Sequence, residues 1–145
     1  GKQVLLSVPE FEWEKIGFLV NEGPAVIVRN GKIFITYSGS ATDENYCMGL
    51  LWAEENSDLL DGYNWHKLEE PVFRSSEKNQ LFGPGHNSFT RSEDGEKDIL
   101  IYHARPKVVT EGDPLDVPDR HAHAQPFTWS DTGFPVFGEP GINNQ

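Results

Sequence analysis

Two landmarks of this chain recur at one spacing. Glu22 stands before "GPAVIVRNGKIFITY" and His86 before "NSFTRSEDGEKDILIY", 64 residues further on. "PVF" begins at Pro71 and again at Pro135, and the turn glycines are Gly31 and Gly95, so the same offset of 64 holds for each pair. Tyr37 and Tyr102 follow it with a slip of one residue. "RNGK" and "EDGEK" are tight turns, since Asn-Gly and Asp-Gly accept the positive φ of a hairpin reversal. Apolar residues rarely recur at helical spacing. Short β-branched and aromatic runs bounded by Gly, Pro, Asn and Asp dominate, which reads as all-β. Strands are predicted over 24–28, 32–38, 47–53 and 66–73, then over 87–91, 97–104, 122–129 and 135–138.

A repeat of four antiparallel strands cannot bury its own faces and is the signature of a propeller blade. Residues 16–78 form one such unit and 79–140 the next, with insertions at 43–46, 54–64 and 108–119. The first strand of a blade lines the central channel, so Glu22 and His86 are expected at equivalent positions at its mouth, converging from distant parts of the chain. Propellers close with at least four blades. Two blades therefore expect completion, either from an N-terminal part of a longer protein or from another copy of the chain.

Charge and cysteine content narrow the partners. Acidic residues number 23 against 12 Lys plus Arg, a formal net charge of -11, which repels nucleic acid at long range. The single cysteine, Cys47, cannot form an internal disulfide, and no Cys/His cluster announces zinc. No apolar run approaches the roughly 18 residues of a membrane span. The opening "GKQVLLSVPEFEW" has neither the apolar run nor the cleavage site of a signal peptide, and any such leader would lie upstream of Gly1, so the compartment stays open.

With "VNEGPAV", "GPGHNSF" and "RHAHAQPFTWSDTGFPVFGEP" in view, residues 13–140 resemble the C-terminal part of glycoside hydrolase family 43, most closely its arabinofuranosidases. The resemblance implies a five-bladed propeller that hydrolyses α-L-arabinofuranosyl or β-D-xylosyl linkages with inversion, here by exo-acting release of terminal α-L-arabinofuranose from hemicellulose or arabinan. It implies that Glu22 is the general acid, in the E-G-P motif opening the acid-bearing blade. His86 would be the channel histidine, holding a hydrated calcium or sodium ion through water in the last blade, with no organic cofactor. Arg120 would bind the sugar, although His123 stands where related sequences carry another arginine, and Phe18 would join it. The family's general base and its second aspartate have no position here, because every aspartate of this chain reads as a turn or outer-loop residue. Inverting hydrolysis needs two carboxyls about 6.5 to 9.5 Å apart, and this chain supplies one.

Plainer readings stand beside these. A glutamate at a strand entry is ordinarily solvated, and a histidine after "GPG" ordinarily caps a turn. A general acid must stay protonated near neutral pH, which calls for an apolar surround, here Phe18 and Trp13, and a nearby like charge from the absent blades. One histidine cannot hold calcium, which takes about six to eight oxygens, so water would fill most of the shell. His103, His121 and His123 invite a zinc reading, with "HAH" turning both rings to one face, but further ligands are lacking. Trp65 and Trp129 are assigned to the space between blades, and the acidic residues 43–44 and 113–119 to solvated loops. The rival function is a non-catalytic fragment that binds saccharide or assembles with other chains through its open blade edges.

Overall fold

The computed structural model describes residues 1–141. Eight strands form two four-stranded antiparallel sheets. The first is ordered β1 (Asn21–Arg29), β2 (Lys32–Gly39), β3 (Cys47–Glu54), β4 (His66–Lys67). The second is ordered β5 (Phe82–Arg91), β6 (Asp98–Arg105), β7 (His121–Trp129), β8 (Pro135–Val136). Each is an up-and-down meander, and together they make two blades of a propeller. At the β1–β2 reversal Asn30 and Gly31 both take positive φ, 55° and 74°, as the Asn-Gly pair predicts.

The strands differ from expectation where the chain is richest in glycine and proline. β1 and β5 begin earlier than predicted, so Glu22 and His86 lie within strands and not ahead of them. Gly and Pro that read as turn signals instead sit in bulges, between Glu22 and Ala25 in β1 and between Phe82 and Gly85 in β5, and a second bulge of β5, between Gly85 and Ser88, holds His86 and Asn87. The fourth strand of the first blade pairs only over His66–Lys67, with Phe73 returning as an isolated bridge to Met48.

Packing between the sheets corrects the repeat. The first sheet turns Phe34, Thr36 and Ser38 to the second: Phe34 packs on Trp129 and Phe134 at 5.7 and 5.4 Å between ring centroids, and Thr36 Oγ1 donates to Asn87 Oδ1 at 2.9 Å. The second sheet answers with Leu100, Tyr102 and Ala104, which join Met48, Phe73, Phe127 and Phe137 in the core. Blades related by rotation about a central axis meet through opposite faces. Tyr102 therefore corresponds to Tyr37, which looks away from the second sheet towards Trp13 and Glu14. The one-residue slip is real for β2 and β6, and β1 and β5 slip by one residue in the other direction, the longer Ser92–Lys97 turn absorbing the difference. The ladder partner pair Glu22–Ser38 thus corresponds to Gly85–His103, and Gly23 to His86. Gly23 and His86 share the bulge conformation, with φ of 56° and 47°.

Several side chains hold these sheets in ways the sequence did not announce. Asp98 is a buried strand residue, contrary to the expectation that every aspartate lies in a turn or outer loop. It accepts from Trp129 Nε1 at 2.8 Å and pairs with Arg91 of its own sheet and Arg29 of the other. Trp129 packs between the blades on Phe34, as predicted, and Trp65 Nε1 donates to Leu59 O within the first blade. Trp52 takes the second interblade place, edge-on to Phe134 at 5.2 Å.

Candidate active site

Glu22 sits at the channel end of β1, its carboxylate 37% exposed. Its neighbours come from three separate stretches. Tyr46, just before β3, donates its phenol proton to Glu22 Oε1. His86, in the β5 bulge and 61% exposed, places Nδ1 3.8 Å from Glu22 Oε2. The His86 backbone N–H donates to Ser38 Oγ at 2.8 Å, which ties the bulge of the second blade to β2 of the first. Gly23, beside Glu22, is what allows the approach, because a Cβ there would lie 3.1 Å from His86 Nδ1.

A ring stack backs the carboxylate. The Tyr46 ring lies over the His103 imidazole at 5.3 Å and 10°, and His103 in turn faces His86 at 6.4 Å. The motif "FGPGH" has a steric reason: a Cβ at Gly83 would strike the Asp43 carbonyl and one at Gly85 the Tyr46 ring, so both glycines make room for the 43–46 segment. That segment is not a free acidic loop. Asp43 Oδ1 accepts from the backbone N–H of Asn45 at 2.8 Å, and Tyr46 is buried. Behind it the buried Arg105 donates to the carbonyls of Thr42, Pro114 and Val117 and pairs with Asp119, pinning the 108–119 insertion to the sheet.

The electrostatics follow from burial. Desolvation, then the hydrogen bond to Glu22, push the Tyr46 phenol above its ordinary value, so it stays a donor. Desolvation and the nearby charges of Arg120, His86 and Arg105 lower His103 to about 4, so its ring is neutral near pH 7. Both His103 nitrogens are buried without a partner. Across the Glu22 carboxylate a shallow apolar cleft of about 260 Å³ is lined by Phe18, Leu19, Val20 and Leu115.

The structure brings Glu22, His86 and Phe18 together, and Arg120, exposed just ahead of β7, is close enough for its charge to act on Tyr46 and His103. Trp13 is elsewhere: it stacks between Phe11 and Tyr37 and donates Nε1 to Glu69 O. The three histidines of the zinc reading are divided. His103 pairs with Ala122, so its ring leaves the opposite face from His121 and His123, and His123 stacks on Tyr102 instead. No group of three or more His, Cys, Asp or Glu suited to a metal occurs among the described residues. Tyr46 and Arg105 escaped the sequence reading. The nearest signal for Tyr46 is "GPG", whose two glycines mark a close approach without saying by what.

Comparison with known proteins gives the family. A family model described as glycosyl hydrolases family 43 matches residues 1–135. An alpha-L-arabinofuranosidase 43 of Humicola insolens is 52% identical over 140 residues, which are 97% of this chain and 29% of that protein. An extracellular exo-alpha-(1->5)-L-arabinofuranosidase of Streptomyces avermitilis is 51% identical over the same shares. The crystal structure of an alpha-L-arabinofuranosidase from Lactobacillus brevis superposes with a TM-score of 0.93 at 56% identity, over 98% of this chain and 44% of that one. This chain spans about three tenths of the length of the curated relatives it matches. A family match over most of its residues, with relatives more than half identical, means that the chain belongs to glycosyl hydrolases family 43.

Proposed function

We propose that this chain forms the acid-bearing and histidine-bearing blades of an exo-acting, inverting α-L-arabinofuranosidase, with Glu22 as the general acid. The observation that carries the proposal is the meeting of Glu22 and His86 from separate blades at 3.8 Å beside an open apolar cleft. The names of its relatives support arabinofuranose as the sugar released.

In the proposed reaction Glu22 gives its proton to the leaving glycosidic oxygen as the bond from that oxygen to the anomeric carbon breaks. The bonding electrons go to the leaving oxygen. Water attacks the anomeric carbon from the opposite face and loses its proton to a carboxylate base. By the resemblance that base comes from outside this chain, and among the described residues Asp43 accepts from Asn45 and Asp119 pairs with Arg105. It belongs either to N-terminal blades or to another copy of the chain. Phe18, 55% exposed, offers an apolar wall next to Glu22, and Arg120 offers a guanidinium to sugar hydroxyls. His86 fits a calcium or sodium ion only as a hydrated one, since no second ligand cluster accompanies it among the described residues. Such an ion would supply positive potential to the channel.

The test is release of nitrophenol from aryl α-L-arabinofuranoside and β-D-xyloside by the completed propeller, beside Glu22→Gln. Loss of about a hundredfold or more in kcat with a natural substrate is expected of the variant. Equal activity of the variant on the natural substrate rejects Glu22 as the acid, whereas nitrophenolate leaves with little need of its proton. No turnover together with measurable saccharide binding favours the non-catalytic reading.

A further inference from the structure

We infer that Tyr46 is the positioning residue of Glu22: its phenol occupies Oε1 and leaves Oε2, on the His86 side, as the oxygen that presents the proton to the cleft. The inference rests on the hydrolase reading above and adds to it a residue from the segment between β2 and β3.

A general acid must deliver its proton along one direction, and a carboxyl at a strand mouth can rotate. Glu22 is half-buried, and among the described residues Tyr46 is its one side-chain hydrogen-bond donor. The phenol is itself immobile. Its ring is buried, one side lies flat on His103, and Gly85 admits it where any larger residue would collide. The loop that carries it is fastened at Asp43 to Asn45 and at Thr42 O to Arg105. A rigid donor therefore holds one carboxyl oxygen, which is the arrangement by which a supporting shell converts a mobile acid into an aimed one.

His86 Nδ1 approaches Oε2 at 3.8 Å, the oxygen that Tyr46 leaves free. The aim of an acid matters most where the leaving oxygen needs its proton, so loss of the phenol slows cleavage of a bond between sugars and spares an aryl glycoside, whose nitrophenolate leaves without it. A purely structural tyrosine would slow both alike.

The experiment is Tyr46→Phe, which keeps the ring and its stacking, in the completed propeller. Turnover of an arabinofuranosyl oligosaccharide is compared with turnover of nitrophenyl α-L-arabinofuranoside. We expect kcat on the oligosaccharide to fall about tenfold, because the acid is no longer aimed, and kcat on the aryl substrate to change less than about twofold. Equal losses on the two substrates, or no loss on the oligosaccharide, overturn the inference. Absence of turnover of either substrate by the natural protein sinks the hydrolase reading itself, a result distinct from either outcome in the variant.

Discussion

Glu14 carries a carboxylate into the first sheet, and its partners decide whether that is tolerable. It accepts from the backbone N–H groups of Glu10 and Phe11 and from Tyr37, and it pairs with Lys67 Nζ at 2.7 Å. Burial pushes its pKa up, but these hydrogen bonds, that of Lys67 first, outweigh it and hold the carboxyl below its ordinary value. Lys67→Met leaves this charge unpaired, and a loss of about 3–5 kcal/mol in urea unfolding at neutral pH is expected. His103 supplies a pH dependence of known sign. Its folded pKa of about 4 lies below the unfolded value near 6.5, so the unfolded chain binds the proton first. Stability from the neutral ring is full above about pH 6.5 and is lost as pH falls towards 4. Thermal melts across that window should fall for the natural chain, and His103→Phe should flatten that part of the decline. A melt whose slope is the same in both would reject His103 as its source.

At the scale of elements, the hairpins were legible and the bulges were not. Asn-Gly at Asn30 and Gly31 dictates a reversal by local sterics alone, so β1 and β2 could be placed from sequence. "FGPGH" reads as a turn by the same rules, yet Gly83 and Gly85 lie in β5 because a loop from the other blade needs the space their missing side chains leave. Gly85→Ala should therefore cost about 1–3 kcal/mol through overpacking against Tyr46, and it should weaken activity with stability. Gly95→Ala is the control for a glycine that touches nothing within 4 Å, since its cost is confined to its φ of 73°. Calorimetry on the two variants separates packing from backbone strain. A smaller loss at Gly85 than at Gly95 would contradict the packing argument.

For the whole molecule, the two-sheet stack buries one face of each blade, and the N-terminal segment covers only part of the other face of the first, over Tyr37. Val26 and Val28 of β1 are 57% and 51% exposed, on the side that turns away from the second sheet. Apolar surface of that kind is what a neighbouring blade would cover. Sedimentation of the chain by itself should reveal concentration-dependent association, and the paired change Val26→Lys with Val28→Glu should abolish it. A strictly monomeric natural chain would remove the idea that another copy completes the ring.

Strand content, the two-blade repeat and the pairing of Glu22 with His86 were determined by the sequence alone, because period, turn chemistry and spacing act over a few residues. The repeat was nevertheless misaligned by one residue at β1 and β5: 64 is the offset of the landmarks, whereas the ladders require Gly23 to match His86, and the slip visible at Tyr37 and Tyr102 is the true offset of β2 and β6. A period-2 pattern cannot reveal that, since a bulge reverses which face a residue takes without altering composition. Tyr46, His103 and Arg105 were decided only by the tertiary structure. Their roles arise from close approach between segments tens of residues apart, and the side chains that touch there, Tyr46 on Glu22 and Arg105 on the Thr42 carbonyl, carry no local signal of the partner they will meet.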